Sequence, residues 1–200
     1  MRVNFHKLPG VILPNWDVDQ MLSKITKSFS NETDNYEVFI APTTEAYWQV
    51  YPYTGTIFTR NFSSNFPAES KYVIEQLENV RAHTQRSDFS DPAAYEALMQ
   101  HQFDFRRVQL IKSVAGVDVR PHIDNGRKFA LNIGLKNSNT CTTYVASTQD
   151  KKNFWSDNLQ SFTMQDSEIY MLNVDAAHAV KSHVDKDSGL DRYLITYKVL

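Results

Sequence analysis

From residue 103 to the end of the chain, the sequence consists of short apolar segments separated by turn signals. Between Phe129 and Leu135, bulky apolar residues alternate with small or polar ones, which is the period of a strand with one bulky face. The preceding Asn125-Gly126 dipeptide is a hairpin turn signal. Short strands at regular spacing with turns between them predict a β-sandwich or a β-barrel. The segments expected to be strands are Arg107–Ala115, Val119–Asp124, Phe129–Leu135, Thr142–Ala146, Leu159–Met164, Glu168–Val174, His178–His183 and Arg192–Leu200.

The first 102 residues carry helical patterns as well as strands. Apolar residues recur at helical spacing from Val18 to Phe29 and again after Pro67, a residue type favoured in the first turn of a helix. Asp91-Pro92 predicts a third, shorter helix that ends at Met99. Short strands are expected at Phe5–Leu13, Tyr36–Ala41, Tyr47–Tyr53 and Thr56–Asn61. We therefore expect a single α+β domain that is mainly β. Residues 1–102 form a helix and strand extension with its helices packed outside the sheet, and residues 103–200 form the core.

Composition excludes several classes of protein. The chain has 200 residues, of which 42% are hydrophobic and 22% are charged, and this suits one globular domain with a core. A formal net charge of -2, without a basic stripe, argues against a nucleic-acid partner. The single cysteine, Cys141, rules out an internal disulfide and a cysteine-based zinc cluster, which favours a reducing compartment. Because no apolar run is long enough for export or for spanning a bilayer, we expect a cytoplasmic protein without a membrane partner.

The segment that begins at Val119 ends in a histidine and a carboxylate, His122 and Asp124, with one residue between them. In an extended segment, residues two apart point to the same face, so the imidazole and the carboxylate can lie side by side. A histidine from a neighbouring strand would complete a triad of two histidines and one carboxylate, which leaves metal positions open for substrate and oxygen. This arrangement is the one that a non-haem iron(II) oxygenase needs.

A second histidine and an arginine follow this motif, in the order His178 and then Arg192 at the start of the last expected strand. The order of a His-x-Asp at a strand end, several strands, a histidine and an arginine resembles the 2-oxoglutarate-dependent Fe(II) oxygenases. The resemblance covers roughly residues 107–200, about the C-terminal half of the chain. It implies a double-stranded β-helix core, the jelly-roll arrangement also found in cupins, with Fe(II) and 2-oxoglutarate as cofactors.

The resemblance implies that His122, Asp124 and His178 bind the metal and form the catalytic centre. His183 is the alternative third ligand, because it and His178 cannot both face one site unless the strand contains a bulge. His178 follows a turn and precedes an apolar residue two positions later. This pattern looks like the distal-ligand strand of the aspartyl/asparaginyl and phytanoyl hydroxylase branches, and we favour His178 for that reason.

By the same resemblance, Arg192 binds the distal carboxylate of 2-oxoglutarate, which a guanidinium can meet with two parallel hydrogen bonds. The chain departs from the Arg-x-Ser version of the family motif, because Leu194 occupies the third place. A hydroxyl partner must then come from elsewhere, and Tyr144 and Thr196 are the candidates. Asn132 is a further candidate for the cofactor site, with a buried amide satisfied by its neighbours as the alternative.

The function that the resemblance implies is hydroxylation of an amino-acid or peptidyl side chain, with Pro or Asp/Asn preferred. Molecular oxygen and 2-oxoglutarate are consumed, and succinate and CO2 are the co-products. The substrate is then a small molecule or a peptide. Two other classes stay open. One is a cupin-type metalloenzyme that does not use 2-oxoglutarate, although the sequence lacks a compact His-x-His. The other is a non-catalytic β-sandwich binding module in which His122 and Asp124 form a structural hydrogen bond.

Overall fold

A computed structural model describes residues 4–10, 16, 48–51, 56–59, 62–124 and 126–199 of the protein. For residues 48–51 and 56–59 the description covers the backbone. The helix expected from Val18 to Phe29 and the strand expected from Tyr36 to Ala41 lie outside the described residues.

The described residues form strands and helices close to the expected ones. The strands are β1 (Phe5–Leu8), β2 (Trp48–Tyr51), β3 (Thr56–Thr59), β4 (Val108–Ser113), β5 (Val119–His122), β6 (Phe129–Lys136), β7 (Cys141–Val145), β8 (Gln160–Thr163), β9 (Ile169–Asn173), β10 (His178–Ser182) and β11 (Arg192–Val199). The helices are α1 (Phe62–Asn65), α2 (Pro67–His83) and α3 (Pro92–Gln100). All eight strands expected after residue 103 are present as β4 to β11, although the strand expected to reach Asp124 ends at His122.

The strands form two antiparallel sheets. The large sheet has seven strands in the order β1-β9-β6-β11-β4-β3-β2, and the small sheet has four in the order β5-β10-β7-β8. From β4 to β7 the chain passes between the two sheets with every strand, and it does so again from β8 to β11. This winding is that of a double-stranded β-helix, so the predicted fold class is confirmed.

The first 102 residues also contribute strands to the large sheet. β1 pairs with β9 at one edge, and β3 pairs with β4 near the other edge, where β2 completes a hairpin. The N-terminal part of the chain therefore extends the sheet of the core in addition to covering it with helices.

The helices α2 and α3 pack on the outer face of the large sheet. Their buried residues form one apolar cluster with alternate residues of β6 and β11. Pro67 occupies the first turn of α2, and the Asp91 carboxylate accepts a hydrogen bond from the Ala93 N–H at 3.1 Å at the start of α3, as the sequence predicts. No helix of the described residues has the length and apolar character that crossing a bilayer requires.

The inner face of β6 carries small residues. Leu131 and Ile133 point to the helices, whereas the residues that alternate with them point to the small sheet. That inner face presents Ala130, Asn132 and Gly134, and its apolar members pack with residues of both sheets. The strict alternation of this strand thus places its bulky side against the helices and its small side in the space between the sheets.

Gly134 is tightly surrounded by neighbouring atoms, so a substitution there tests how closely this part of β6 is packed. A Cβ atom there would lie 2.3 Å from the Gln165 carbonyl oxygen and 2.6 Å from Ser138 Oγ, both too close for ordinary contact. We expect Gly134→Ala to lower the free energy of unfolding by about 1–3 kcal/mol, measured by urea denaturation. Gly10→Ala is the matched control, because a Cβ at Gly10 meets no atom of the described residues within 4 Å. Equal losses in the two variants would contradict the packing described.

Candidate metal centre

The pairing of β5 with β10 brings two histidines together. His122 and His178 are register partners, and their ring centroids lie 4.2 Å apart. Directly paired residues of antiparallel strands point to the same face. On its other side His178 pairs with Val145, which belongs to the apolar cluster between the sheets. Both imidazoles therefore face the space between the sheets.

Asp124 completes a cluster of three possible metal ligands. It lies just beyond β5, where its backbone N–H donates to the Val174 carbonyl at 3.0 Å. Its Oδ1 lies 3.8 Å from His122 Nε2, and its Oδ2 lies 3.9 Å from His178 Nε2. One ligand atom of each residue lies within 4.8 Å of the other two, which is close enough for a single ion to be shared.

Hydrogen bonds determine which ring nitrogens are free. His122 Nδ1 lies 2.8 Å from the Arg120 carbonyl oxygen, and His178 Nδ1 lies 3.0 Å from the Ala176 carbonyl oxygen. Because a carbonyl can only accept, each Nδ1 carries the proton and each Nε2 keeps its lone pair. The two lone pairs lie on the ring atoms nearest Asp124, which is how metal-bound imidazoles are held.

Exposure differs across the cluster. The exposed fraction of the side chain is 34% for His122, 19% for Asp124 and 6% for His178, so the cluster is reached from the side of His122. Burial, with a smaller contribution from the neighbouring His122, lowers the pKa of His178 to about 4. His178 is therefore neutral at pH 7, which is the form that binds a metal.

A buried arginine contacts the carboxylate of this cluster. Arg127 Nε donates to Asp124 Oδ2 at 2.8 Å, and Arg127 Nη2 donates to the same oxygen. The Arg127 side chain is 10% exposed, and its Nη1 is buried without a hydrogen-bond partner. Arg127 is absent from the predicted site residues. Its position three residues after a candidate ligand, across a turn, is the signal that could have indicated it.

Arg192 is a second buried cation, and it lies at the start of β11. It shares the inner face of that strand with Leu194, a member of the cluster between the sheets. Burial lowers the pKa of its guanidinium, an effect that the neighbouring Cys141 thiol opposes, and the group remains charged. Among the described residues, its buried Nε has no hydrogen-bond partner and no carboxylate pairs with the guanidinium. Because a buried charge without a counter-ion is unfavourable, this position suits an anionic ligand.

Comparisons with known proteins agree with this geometry at the level of the fold. Protein-family models give no match to the sequence, and no curated protein matches it. Solved structures do match. A prolyl hydroxylase from Trichoplax adhaerens, in complex with a hypoxia inducible factor oxygen degradation domain peptide fragment, matches with a TM-score of 0.54 and 12% identity, over 98% of this chain and 84% of that chain. An oxidoreductase of the 2OG-Fe(II) oxygenase family from Burkholderia pseudomallei matches with a TM-score of 0.50 and 12% identity, over the same shares.

The chain has the fold of the 2-oxoglutarate- and Fe(II)-dependent oxygenases. Within that oxygenase fold, the structure brings together the three predicted metal ligands and places the predicted Arg192 on a face that points into the same space between the sheets. Metal binding by the cluster and 2-oxoglutarate binding by Arg192 stay predictions.

The predicted partners of Arg192 are divided between two faces of the oxygenase fold. The Thr196 hydroxyl donates to Asn132 Oδ1 at 2.7 Å, and both residues lie on the inner face of the large sheet, as Arg192 does. Tyr144 lies on the outer face of the small sheet, where it packs with Ala179 and, edge to face, with Trp155. Strand alternation thus turns Tyr144 away from Arg192, and the prediction that its hydroxyl assists Arg192 is corrected. The hydrogen bond to Thr196 agrees with the alternative reading of Asn132 as an amide satisfied by a neighbour.

The side chain that the structure does place beside Arg192 is the Cys141 thiol, which the sequence analysis considered only for disulfides and zinc. The remaining histidines among the described residues lie apart from the metal-ligand cluster. His183 Nε2 lies 2.8 Å from Thr142 Oγ1 on the exposed side of the small sheet. The others are His6, His83 and His101, all on or near the N-terminal elements.

The lowered pKa of His178 makes the stability of the metal-free protein depend on pH. The unfolded chain takes up a proton near the ordinary pKa of 6.5, whereas the folded protein takes it up only near pH 4. The free energy of unfolding is therefore highest above pH 6.5 and falls on acidification between these values. Urea denaturation with a chelator at several pH values should show this slope, and His178→Gln should reduce it. His83→Gln, at an exposed position of α2, is the control, and an equal reduction there would contradict this explanation.

Proposed function

We propose that the protein is a 2-oxoglutarate- and Fe(II)-dependent dioxygenase that hydroxylates an amino-acid or peptidyl side chain. The observation that carries the proposal is a combination of two groups on one inner surface. His122, Asp124 and His178 present ligand atoms within 4.8 Å of one another, and Arg192 is a buried cation that lacks an anion among the described residues. A metal ion and a dicarboxylate are the two ligands that these groups need.

The donor set suits ferrous iron. His122 and His178 would each bind through Nε2, and Asp124 would bind through Oδ1, the oxygen that Arg127 does not contact. Two neutral imidazoles and one carboxylate are the ligand types of non-haem Fe(II) oxygenases. When bound, the iron supplies oxidising chemistry that no side chain of the protein can perform. The residues of the chain position the ligands, orient the substrate and limit access of water.

Arg192 would bind the distal carboxylate of 2-oxoglutarate. Its Nε–H is a buried donor without a partner, so a carboxylate oxygen would satisfy it at little further cost of desolvation. A guanidinium can also form two parallel hydrogen bonds with one carboxylate, which fixes the orientation of the ligand. On the inner face of β6, the small side chain of Ala130 limits crowding of this surface.

The proposed reaction balances as follows. One oxygen atom of O2 enters the substrate as a hydroxyl group, and the other enters succinate as part of its new carboxylate. The C1 carboxylate of 2-oxoglutarate leaves as CO2. The electrons that reduce O2 come from 2-oxoglutarate and from the C–H bond of the substrate. The side chain to be hydroxylated would approach from the side of His122, the most exposed residue of the cluster.

A peptide is the favoured substrate, with Pro or Asp/Asn as the hydroxylated residue. The Trichoplax adhaerens prolyl hydroxylase, which shares the fold, is in complex with a peptide fragment. The match at 12% identity supports the architecture, and the choice of side chain is part of the proposal.

The purified protein should convert 2-oxoglutarate to succinate in the presence of ferrous iron, and Asp124→Ala should abolish this activity because it removes the charged ligand. Succinate is measured by NMR, and a panel of amino acids and short peptides is screened by mass spectrometry for the gain of one oxygen atom. Asp187→Ala, which removes an exposed carboxylate in the turn before β11, is the control and should keep full activity. Undiminished turnover by Asp124→Ala would reject the proposal.

Arg192 can be tested through ligand discrimination. The wild-type protein with Mn(II) should bind 2-oxoglutarate more tightly than 2-oxobutyrate, which lacks the distal carboxylate. Arg192→Met should weaken 2-oxoglutarate binding by about 30-fold or more, as expected for loss of a buried charge partner, and should leave 2-oxobutyrate binding nearly unchanged. Isothermal titration calorimetry measures both affinities. Equal weakening of the two ligands would show that Arg192 does not contact the distal carboxylate.

The same titrations separate the other functional classes. Binding of Fe(II) or Mn(II) that 2-oxoglutarate does not affect would indicate a cupin-type metalloenzyme. A melting temperature that neither ligand raises would indicate a non-catalytic binding module, because specific binding stabilises the folded state by mass action.

A further inference from the structure

We propose that Arg127 is a positioning residue that restricts Asp124 to one metal-binding oxygen and thereby keeps a coordination position of the ion open. This inference rests on the proposed function, because it concerns the metal centre of that reaction. It assigns a role to a residue outside the three ligands.

Both hydrogen bonds from Arg127 converge on one carboxylate oxygen. Nε and Nη2 each donate to Asp124 Oδ2, and neither contacts Oδ1. A carboxylate oxygen has about two lone-pair sites, so two N–H donors occupy those of Oδ2. Oδ1 accepts no described hydrogen bond and lies 3.8 Å from His122 Nε2, whereas Oδ2, which accepts both hydrogen bonds from Arg127, lies 3.9 Å from His178 Nε2.

Another arginine–aspartate pair of the chain has a different geometry, so the contact of Arg127 with a single carboxylate oxygen is a feature of this site. Arg106 Nε lies 2.9 Å from Asp104 Oδ1 and 3.1 Å from Asp104 Oδ2, and its Nη2 lies 2.8 Å from Oδ2. That exposed pair engages both oxygens of its carboxylate. At Asp124 the arginine leaves one oxygen completely free.

Stability alone does not explain the position of Arg127. The guanidinium is almost fully buried, and among the described residues Asp124 is its hydrogen-bond partner while Nη1 has none. A buried N–H without an acceptor opposes folding. The two donors that are satisfied are both directed at Oδ2, and Oδ1 accepts no described hydrogen bond. The arrangement therefore favours control of the carboxylate over a fully satisfied buried ion pair.

The number of open coordination positions makes this control important. In an octahedral ion, two imidazoles and one carboxylate oxygen leave three positions. The keto and C1 carboxylate groups of 2-oxoglutarate would take two of them, which would leave one for oxygen. If Asp124 bound through both oxygens, that last position would be lost. By occupying Oδ2, Arg127 keeps the site able to take both co-substrates together.

The test counts exchangeable water on Mn(II) bound in place of iron, by EPR line broadening with oxygen-17 water. Wild-type protein should show about three waters, and about one after addition of 2-oxoglutarate. Arg127→Met and Arg127→Gln should each show about one water fewer in both states, because Oδ2 becomes free to bind. The oxygenase rate should fall about 10–100-fold in these variants, the usual range for a group that orients a ligand.

Arg106→Met is the matched control, since it removes an arginine paired with an aspartate outside the metal-ligand cluster and should keep the wild-type water count. The proposal is overturned if either Arg127 variant binds Mn(II) with an unchanged count. It is also overturned if the wild-type protein already shows only two waters. That measurement does not depend on whether the Arg127 variants fold. Failure of the proposed function looks different, because 2-oxoglutarate would then displace no water from the wild-type complex.

Discussion

The candidate site depends on the backbone register of one strand. β10 lies between β5 and β7, and its pairing places His178 opposite His122 on one side and Val145 on the other. A slip of one residue would turn His178 outward and bring Ala179 to the inner face. Ala179 instead packs in an apolar cluster on the outer face of the small sheet. The alternation that buries the small sheet on both faces is therefore also what orients the imidazole.

A local irregularity completes this arrangement. From Val119 to His122 the strand β5 has four residues, while the facing segment of β10, from Val180 to His178, has three. In a regular strand, Val119 and His122 would point to opposite faces, because they are three positions apart. Pro121 lies in this interval, and proline is tolerated at such bulges because it has no N–H to donate to the ladder. The bulge returns His122 to the inner face, beside His178.

Period-two alternation explains both the success and the failure of the sequence-based predictions. It separated His178 from His183 correctly as inward and outward positions, because two residues an odd number of positions apart point to opposite faces of an extended segment. It could not decide between the faces of β7, where Val145 and Tyr144 are both compatible with burial. The choice depends on which face meets the large sheet, and Trp155, which packs against Tyr144, lies in a short 3-10 helix between β7 and β8. Strand positions could thus be predicted, whereas sheet faces at mixed strands could not.

The two buried arginines show a further limit of the sequence and a property of the site. Arg127 has its anion three residues away, within a turn, whereas Arg192 meets the Cys141 thiol from the other sheet and no anion of the described residues. Of these two charges only the second lacks an anion among the described residues, and only the assembled sheets reveal that difference. A buried cation without a counter-ion is unfavourable for folding, so the same charge that lowers stability also suits an anionic ligand. At Arg192 the protein therefore has a lower stability than a neutral residue would give, and a higher affinity for an anion.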